Sequence, residues 1–211
     1  MSHAVHLWIF FLLVAGVVLL PGVDMAFVIA SSLVGGRRAG LAAVGGIVAG
    51  GAWHTVFGAL GIAVVLQVWP GAFNAVLLVG AVYVAWIGWS LMRSGIALQI
   101  AEGTPERSLG AIFRRGALTN LLNPKAYLFT MAIFPQFIRR EYGPIWLQAI
   151  ELGAIITLSQ ASIYGVEALV ADRARGWLAH SPGAQTAIAR SVGGLLIVIA
   201  VATGVQGWWL H

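Results

Sequence analysis

The chain contains no cysteine, which excludes disulfides and thiolate metal sites and leaves the redox compartment open. It is also poor in charge. Only 9% of its 211 residues are Asp, Glu, Lys or Arg, against roughly 25% in a soluble domain. Enzyme signatures are missing as well: there is no HExxH metal pair, no phosphate-binding glycine loop ending in lysine, and no G-x-S-x-G elbow. The reading is therefore of a non-enzyme with no catalytic residues, no metal site and no cofactor. Nothing supports ATP-driven pumping, so transport would draw on an ion gradient or the membrane potential.

What is abundant is apolar surface. Hydrophobic residues make up 60% of the chain, more than one globular core of this size can hide. Long apolar stretches fall at about 7–33, 41–66, 72–92, 117–138, 144–169 and 191–210. A membrane span needs ~20 mainly apolar residues, so six spans with short loops use nearly the whole chain. The runs are long and do not alternate with period two, which favours helices over barrel strands. The expected fold is an all-α integral membrane protein of about six transmembrane helices, with 1–211 as a single transmembrane domain. Residues 1–6 carry no Lys or Arg, so the first run reads as a mature span rather than a signal peptide.

The formal charge of +5 does not point to nucleic acid, because the basic residues sit between the apolar runs. Arg37, Arg38, Arg93, Arg107, Arg114, Arg115, Arg173, Arg175 and Arg190 follow spans one, three and five, whereas Arg139 and Arg140 alone lie on the other face. The positive-inside rule places the larger set in the cytoplasm and both termini outside. The polar connections expected on the cytoplasmic side are 94–115 and 171–190.

Two segments echo each other at an offset of 102 residues: Leu19-Leu20-Pro21-Gly22 running to Arg37-Arg38, and Leu121-Leu122-Asn123-Pro124 running to Arg139-Arg140. Halves of three spans each, about 1–105 and 106–211, would lie in opposite orientations. Such a 3+3 inverted repeat, with helix breaks in helices 1 and 4, characterises secondary transporters that bind substrate near the midplane.

The breaks come with charges. Pro21 and Gly22 open the first span by removing an N–H and adding backbone freedom. Asp24 follows at once, and an intramembrane charge costs ~2.5–3.5 kcal/mol unless it faces protein and has a partner. Pro124 is the second break, flanked by Asn120, Asn123 and Lys125. His54 shares one helical face with Ala42, Gly46, Gly50 and Gly58, a small-residue stripe that lets another helix approach closely and makes a homodimer plausible. Gln160, Tyr164, Glu151 and Glu167 are weaker candidates in the fifth span.

At these residues the chain resembles the LysE/RhtB family of amino-acid exporters. The likeness is carried by Leu20-Pro21-Gly22-Val23-Asp24, by Gly35-Gly36-Arg37-Arg38-Ala39-Gly40-Leu41, and by Asn120-Leu121-Leu122-Asn123-Pro124-Lys125-Ala126 with Pro135-Gln136-Phe137. It extends over nearly the full chain. The family usually has a second proline where Val23 stands and often a polar residue where Gly51 stands. The resemblance implies a bacterial inner-membrane protein that exports an amino acid under the proton-motive force.

Residues and resemblance together suggest export of a zwitterion. Asp24 would meet its ammonium. Lys125, with Asn120, Asn123 and the N–H groups after Pro124, would meet its carboxylate. His54 and Asp24 are candidates for proton coupling. The alternatives are a divalent metal cation exporter and a non-transporting membrane scaffold. The expected partners are a small-molecule substrate and membrane lipid. The topology has a direct check in the cysteine-free background: in intact cells an impermeant thiol reagent should label His211→Cys and leave Thr104→Cys unlabelled, and the opposite pattern would reverse the orientation.

Overall fold

The computed structural model describes residues 2–60, 78–79, 81–83, 85–86, 88–89, 92–93 and 108–209. Residues 61–77, 94–107 and His211 lie outside the described residues, and with them most of the predicted 94–115 connection. The structure is 90% helical and, among the described residues, has no strand. Its helices are α1 (His3–Leu19), α2 (Val23–Ala59), α3 (Leu109–Leu121), α4 (Pro124–Ala132), α5 (Ile145–Ala179) and α6 (Pro182–Trp209). The described residues between 78 and 93 are also helical. Two helices are long and apolar enough to cross a membrane, Val23–Ala59 and Ile145–Leu178, and shorter apolar helices accompany them.

Helix ends follow local chemistry. Ser2 and Ser108 cap α1 and α3 by accepting from the N–H groups of Val5 and Ala111. α1 stops at Leu19, just before Pro21-Gly22, and α3 stops at Leu121, just before Asn123-Pro124. Two short 3₁₀ turns, Phe134–Phe137 and Arg140–Tyr142, lead to Gly143, whose φ of 101° makes the turn into α5.

α2 has 37 residues and as one rod would measure ~55 Å, against a hydrocarbon thickness of ~30 Å. It is instead bent back on itself. Gly36 has φ 71° and ψ −171°, well outside helical values. A side-chain carbon at Gly40 would stand 2.6 Å from the Ser32 hydroxyl, yet residues eight apart on a continuous helix are separated by ~12 Å. The chain therefore doubles back at Gly36, giving a first arm, 23–35, and a second arm, 37–59.

The second arm is the spine of the molecule. α5 runs antiparallel to it: Gly153 meets Thr55, Gln160 meets Gly51, Ala168 meets Gly40 and Arg175 meets Gly36. The Ser32 hydroxyl adds a hydrogen bond to the Ala168 carbonyl. α3 runs parallel to the second arm, with Gly116 on the Ala43 carbonyl and Asn120 on Gly50, and α4 with the following turn continues to Gly58 through Thr130 and Phe134. The small-residue stripe is thus occupied inside the chain, where Gly46 takes the Phe113 carbonyl and Gly50 takes Asn120. Gly88 and Gly193 bring a second pair of helices into backbone contact.

Phe10 packs with Phe129, Phe134 and Phe137 at centroid distances of 4.9 to 6.4 Å, tying α1 to α4. Near the same end Gln148 holds the 134–144 loop, accepting from the Arg139 N–H and donating to the Arg139 and Gly143 carbonyls. Trp8, Leu12, Leu158, Val166 and Val198 are exposed, an outward apolar surface suited to lipid.

Two expected connections prove shorter. α3 begins at Leu109, so Arg114 and Arg115 are helical, and only His180 and Ser181 separate α5 from α6. A charged turn lowers the apolar character of a segment without ending its helix, so a hydropathy boundary need not be a helix end.

The glycine contacts predict opposite signs for two similar substitutions. Gly46→Ala must push the α3 backbone away and should lower stability by ~1–3 kcal/mol. Gly165→Ala, with nothing among the described residues within 4 Å of the new carbon, should raise it by ~0.5–1 kcal/mol. Thermal unfolding in detergent reads both.

Candidate functional site

The two helix breaks lie side by side and satisfy each other. At the first, Pro21 and Gly22 end α1 and leave its last carbonyls without intrahelical donors. Lys125, from the first turn of α4, supplies them: its Nζ donates to the Val17 carbonyl at 2.9 Å and to the Leu20 carbonyl at 3.0 Å. Gly22 lies beside this contact, where a side-chain carbon would meet Nζ at 3.4 Å, an ordinary van der Waals distance. At the second break, Asn123 caps α4 by accepting the Lys125 N–H at 3.0 Å. Its amide nitrogen donates to Asp24 Oδ2 at 2.8 Å, and the Asn120 amide donates to the same oxygen at 2.8 Å.

Asp24 is 2% exposed with the Tyr164 side chain beside it, and among the described residues its other oxygen, Oδ1, accepts no hydrogen bond of normal geometry. Asp24 and Lys125 form no ion pair among the described residues; Asn123 bonds to both. An ammonium has three donors, and among the described residues two of those of Lys125 are used, both on α1.

Both residues line a cavity of about 50 Å³ between α1, α2, α3, α4 and α5. A water needs ~10–15 Å³ on this measure, so the space suits a few waters or a small solute. Gly51, His54, Asn120, Asn123, Gln160 and Tyr164 also border it. His54 is buried and its Nε2 lies 3.1 Å from the Asn120 carbonyl. A carbonyl only accepts, so Nε2 carries the proton in this contact. Asn120 therefore touches His54 through its backbone and Asp24 through its side chain. The His54 ring meets Tyr127 edge-on at 4.7 Å.

All the substrate-site residues expected from sequence, Asp24, Asn120, Asn123 and Lys125, come together here, and His54 joins them. The N–H groups after Pro124 are placed differently. Those of Lys125, Ala126 and Tyr127 are taken by the side chain and carbonyl of Asn123, because asparagine at the N-cap satisfies them locally. The uncapped start is that of α2, where Gly22 offers no side chain.

Gln160 and Tyr164 were undervalued by the sequence reading. Tyr164 is 1% exposed and stands beside Asp24. The available signal was the spacing of Gln160, Tyr164 and Glu167, which puts three polar groups on one face of an apolar helix. Glu151 belongs elsewhere, at the His3 ring 3.2 Å away.

Paired broken helices that bring Asp24, Lys125 and buried amides to a small, mainly apolar cavity are the kind of arrangement found in membrane carriers. The chain belongs to the LysE type translocator family, whose model matches residues 15–207. It is 32% identical to an uncharacterised membrane protein of Vibrio cholerae over 92% of this chain and 94% of that one. It is 27% identical to the homoserine/homoserine lactone efflux protein of Salmonella typhimurium over 91% of this chain and 93% of that one. A Bacillus subtilis membrane protein, YrhP, is 29% identical over 91% of this chain and 95% of its own length. No solved structure matches the chain.

The bridging geometry predicts how stability couples. Asp24→Asn and Asn123→Ala touch one hydrogen bond and should show an interaction of ~0.5–3 kcal/mol in a double-mutant cycle. Asp24→Asn and Lys125→Met should couple less. An Asp24/Lys125 coupling above ~2 kcal/mol in the substrate-free protein would mean direct pairing instead.

Proposed function

We propose that this protein is a secondary exporter of an amino acid or closely related zwitterion across the bacterial inner membrane, driven by the proton-motive force. The observation that carries this reading is the separation of charge at the cavity: among the described residues Asp24 Oδ1 accepts no hydrogen bond of normal geometry, with Tyr164 beside it, and the Lys125 ammonium donates to the carbonyls of α1 rather than to Asp24. Opposite charges held apart by neutral amides suit a ligand that bears both signs. The substrate ammonium would sit on Asp24 Oδ1. Its carboxylate would take the remaining Lys125 donor and the uncapped first turn of α2 beside Gly22, where free N–H groups and the helix dipole attract an anion. A relative named for homoserine and homoserine lactone efflux supports both substrate class and direction.

Six crossings account for the packing. α1 with the first arm of α2 forms one broken crossing, and α3 with α4 forms another. The second arm, the helical residues between 78 and 93, α5 and α6 supply four more. The ends of α1 and α3, Leu19 and Leu121, differ by the 102 residues that relate the two sequence segments. This supports an inverted repeat whose halves rock about the cavity to give alternating access. Arg37, Arg38, Arg173 and Arg175 would collect at the cytoplasmic end. His54, joined to Asp24 through Asn120, would pass the coupling proton.

The metal-export reading has less support, because among the described residues no group of three or more His, Asp or Glu could hold an ion. A scaffold role leaves the cavity and its buried carboxylate without a use.

Asp24→Asn tests the export reading. Neutralising the charge lowers an insertion penalty that is ~2.5–3.5 kcal/mol for the charged side chain, and the amide oxygen can still accept from Asn120 and Asn123. Membrane abundance should stay near wild type while efflux of radiolabelled amino acids from a deletion strain is lost. Wild-type efflux by a well-expressed Asp24→Asn protein would remove Asp24 from the mechanism.

A further inference from the structure

Glu167 is an acidic residue that the site described above leaves without a use. It follows Tyr164 on the same face of α5, one turn nearer the end where Arg175 meets Gly36. That step is ~4–5 Å along the helix, and Glu167, unlike Tyr164, does not border the cavity. Glu167 is half-buried. Its Oε2 is shielded from water and has no hydrogen-bond partner among the described residues. A carboxylate oxygen so placed is unfavourable without a donor. Lys125 is close enough to act on Glu167 electrostatically, yet no ion pair joins the two among the described residues, and the Lys125 ammonium donates to α1. Lys125 therefore lies in the field of two carboxylates, Asp24 and Glu167, and is bonded to neither. Asp24 is the deeper one, at the cavity; Glu167 is the shallower one, outside it. Tyr164, 1% exposed, is next to both. At the opposite end, Phe10, Phe134 and Phe137 pack against one another beyond the cavity wall.

We propose that Glu167 is an entry subsite for a primary ammonium on the arginine-rich side of the cavity: the carboxylate of an arriving zwitterion takes Lys125 while its ammonium rests on Glu167, and the ammonium then passes Tyr164 to reach Asp24. The proposal rests on the export reading above and adds a second, shallower seat to it. Both seats share Lys125, so the ligand carboxylate keeps its partner while the ammonium moves from one carboxylate to the other. A charge that crossed an apolar wall alone would lose its solvation with nothing in return. An ammonium also brings the donors that the shielded Oε2 lacks. A metal ion is the poorer occupant, because no group of three His, Asp or Glu among the described residues could hold one. Two other fates of the carboxyl, a bound proton or the Lys125 ammonium swung over to it, are separate outcomes of the test.

The test measures exchange from each face of the full-length protein, in inverted and in right-side-out membrane vesicles. Labelling of Arg37→Cys in the cysteine-free background locates the arginine-rich face. The radiolabelled protein amino acids are screened with the wild type, and the one carried best is the probe. Glu167→Gln should raise the half-saturating concentration at the arginine-rich face roughly 3- to 10-fold. Half-saturation at the opposite face and the maximal rate should stay unchanged, which also shows that the variant folds. Glu167→Asp, with the charge kept on a stem one methylene shorter, should recover most of the loss. A rise at both faces would place Glu167 in the central site. A lower maximal rate from both faces would make it a second seat for Lys125. No change at either face would mean a neutral carboxyl. Each of these three results would overturn the proposal and leave the export reading standing. A wild type that carries no amino acid would overturn the export reading, and the proposal with it.

Discussion

The structure depends on how two interrupted helices satisfy their freed backbone groups where water is scarce. In hydrocarbon each unpaired peptide group is costly, and Pro21-Gly22 and Asn123-Pro124 both create such groups. The solution is reciprocal. Lys125 in one break closes the carbonyls of the helix ending at the other, and Asp24 in the first break is held by Asn120 and Asn123 around the second. The charges that make the breaks tolerable also give a mainly apolar cavity its polar groups. The contacts that join the two halves use Asp24 Oδ2 and two donors of Lys125, so the proposed ligand chemistry, at Oδ1 and the third donor, belongs to the same side chains but to different atoms.

Close packing positions that lock. Glycines at 46, 50 and 116 bring the second arm of α2 against the backbone of α3, and this fixes Asn120 between His54 and Asp24. Without a hydrophobic force between helices, dispersion contacts at short range supply the adhesion. A lost glycine would move the ligands of Asp24 as well as the helix that carries them. The fold at Gly36 has a similar reach. It returns the second arm alongside the first, so that Asp24 and His54, thirty residues apart in sequence, both reach Asn120.

The two ends of the bundle differ in chemistry. One end gathers Gly36, Arg37, Arg38, Asp172 and Arg175. The other is knitted by neutral and aromatic contacts: Gln148 on the 134–144 loop, His6 on the Phe137 carbonyl 3.1 Å away, and the Phe10 cluster. A carrier that opens to each side in turn must break different contacts at each end, polar and charged at the first, mainly packed rings and loop hydrogen bonds at the second.

The sequence by itself determined the class of molecule, the places where its helices break and the residues that carry charge into the membrane. These are local properties: composition sets the solvent a segment prefers, proline and glycine act on their own backbone, and a buried charge is conspicuous wherever it lies. Family membership was legible for the same reason, since its motifs are contiguous. Only the tertiary structure decided which partner each group has. Lys125 holds the carbonyls of α1, Asn120 and Asn123 hold Asp24, and the gap at Gly51 is taken by Gln160. Those pairings join residues about a hundred positions apart, and no local pattern specifies them; they follow from how closely the glycine-lined helices can approach.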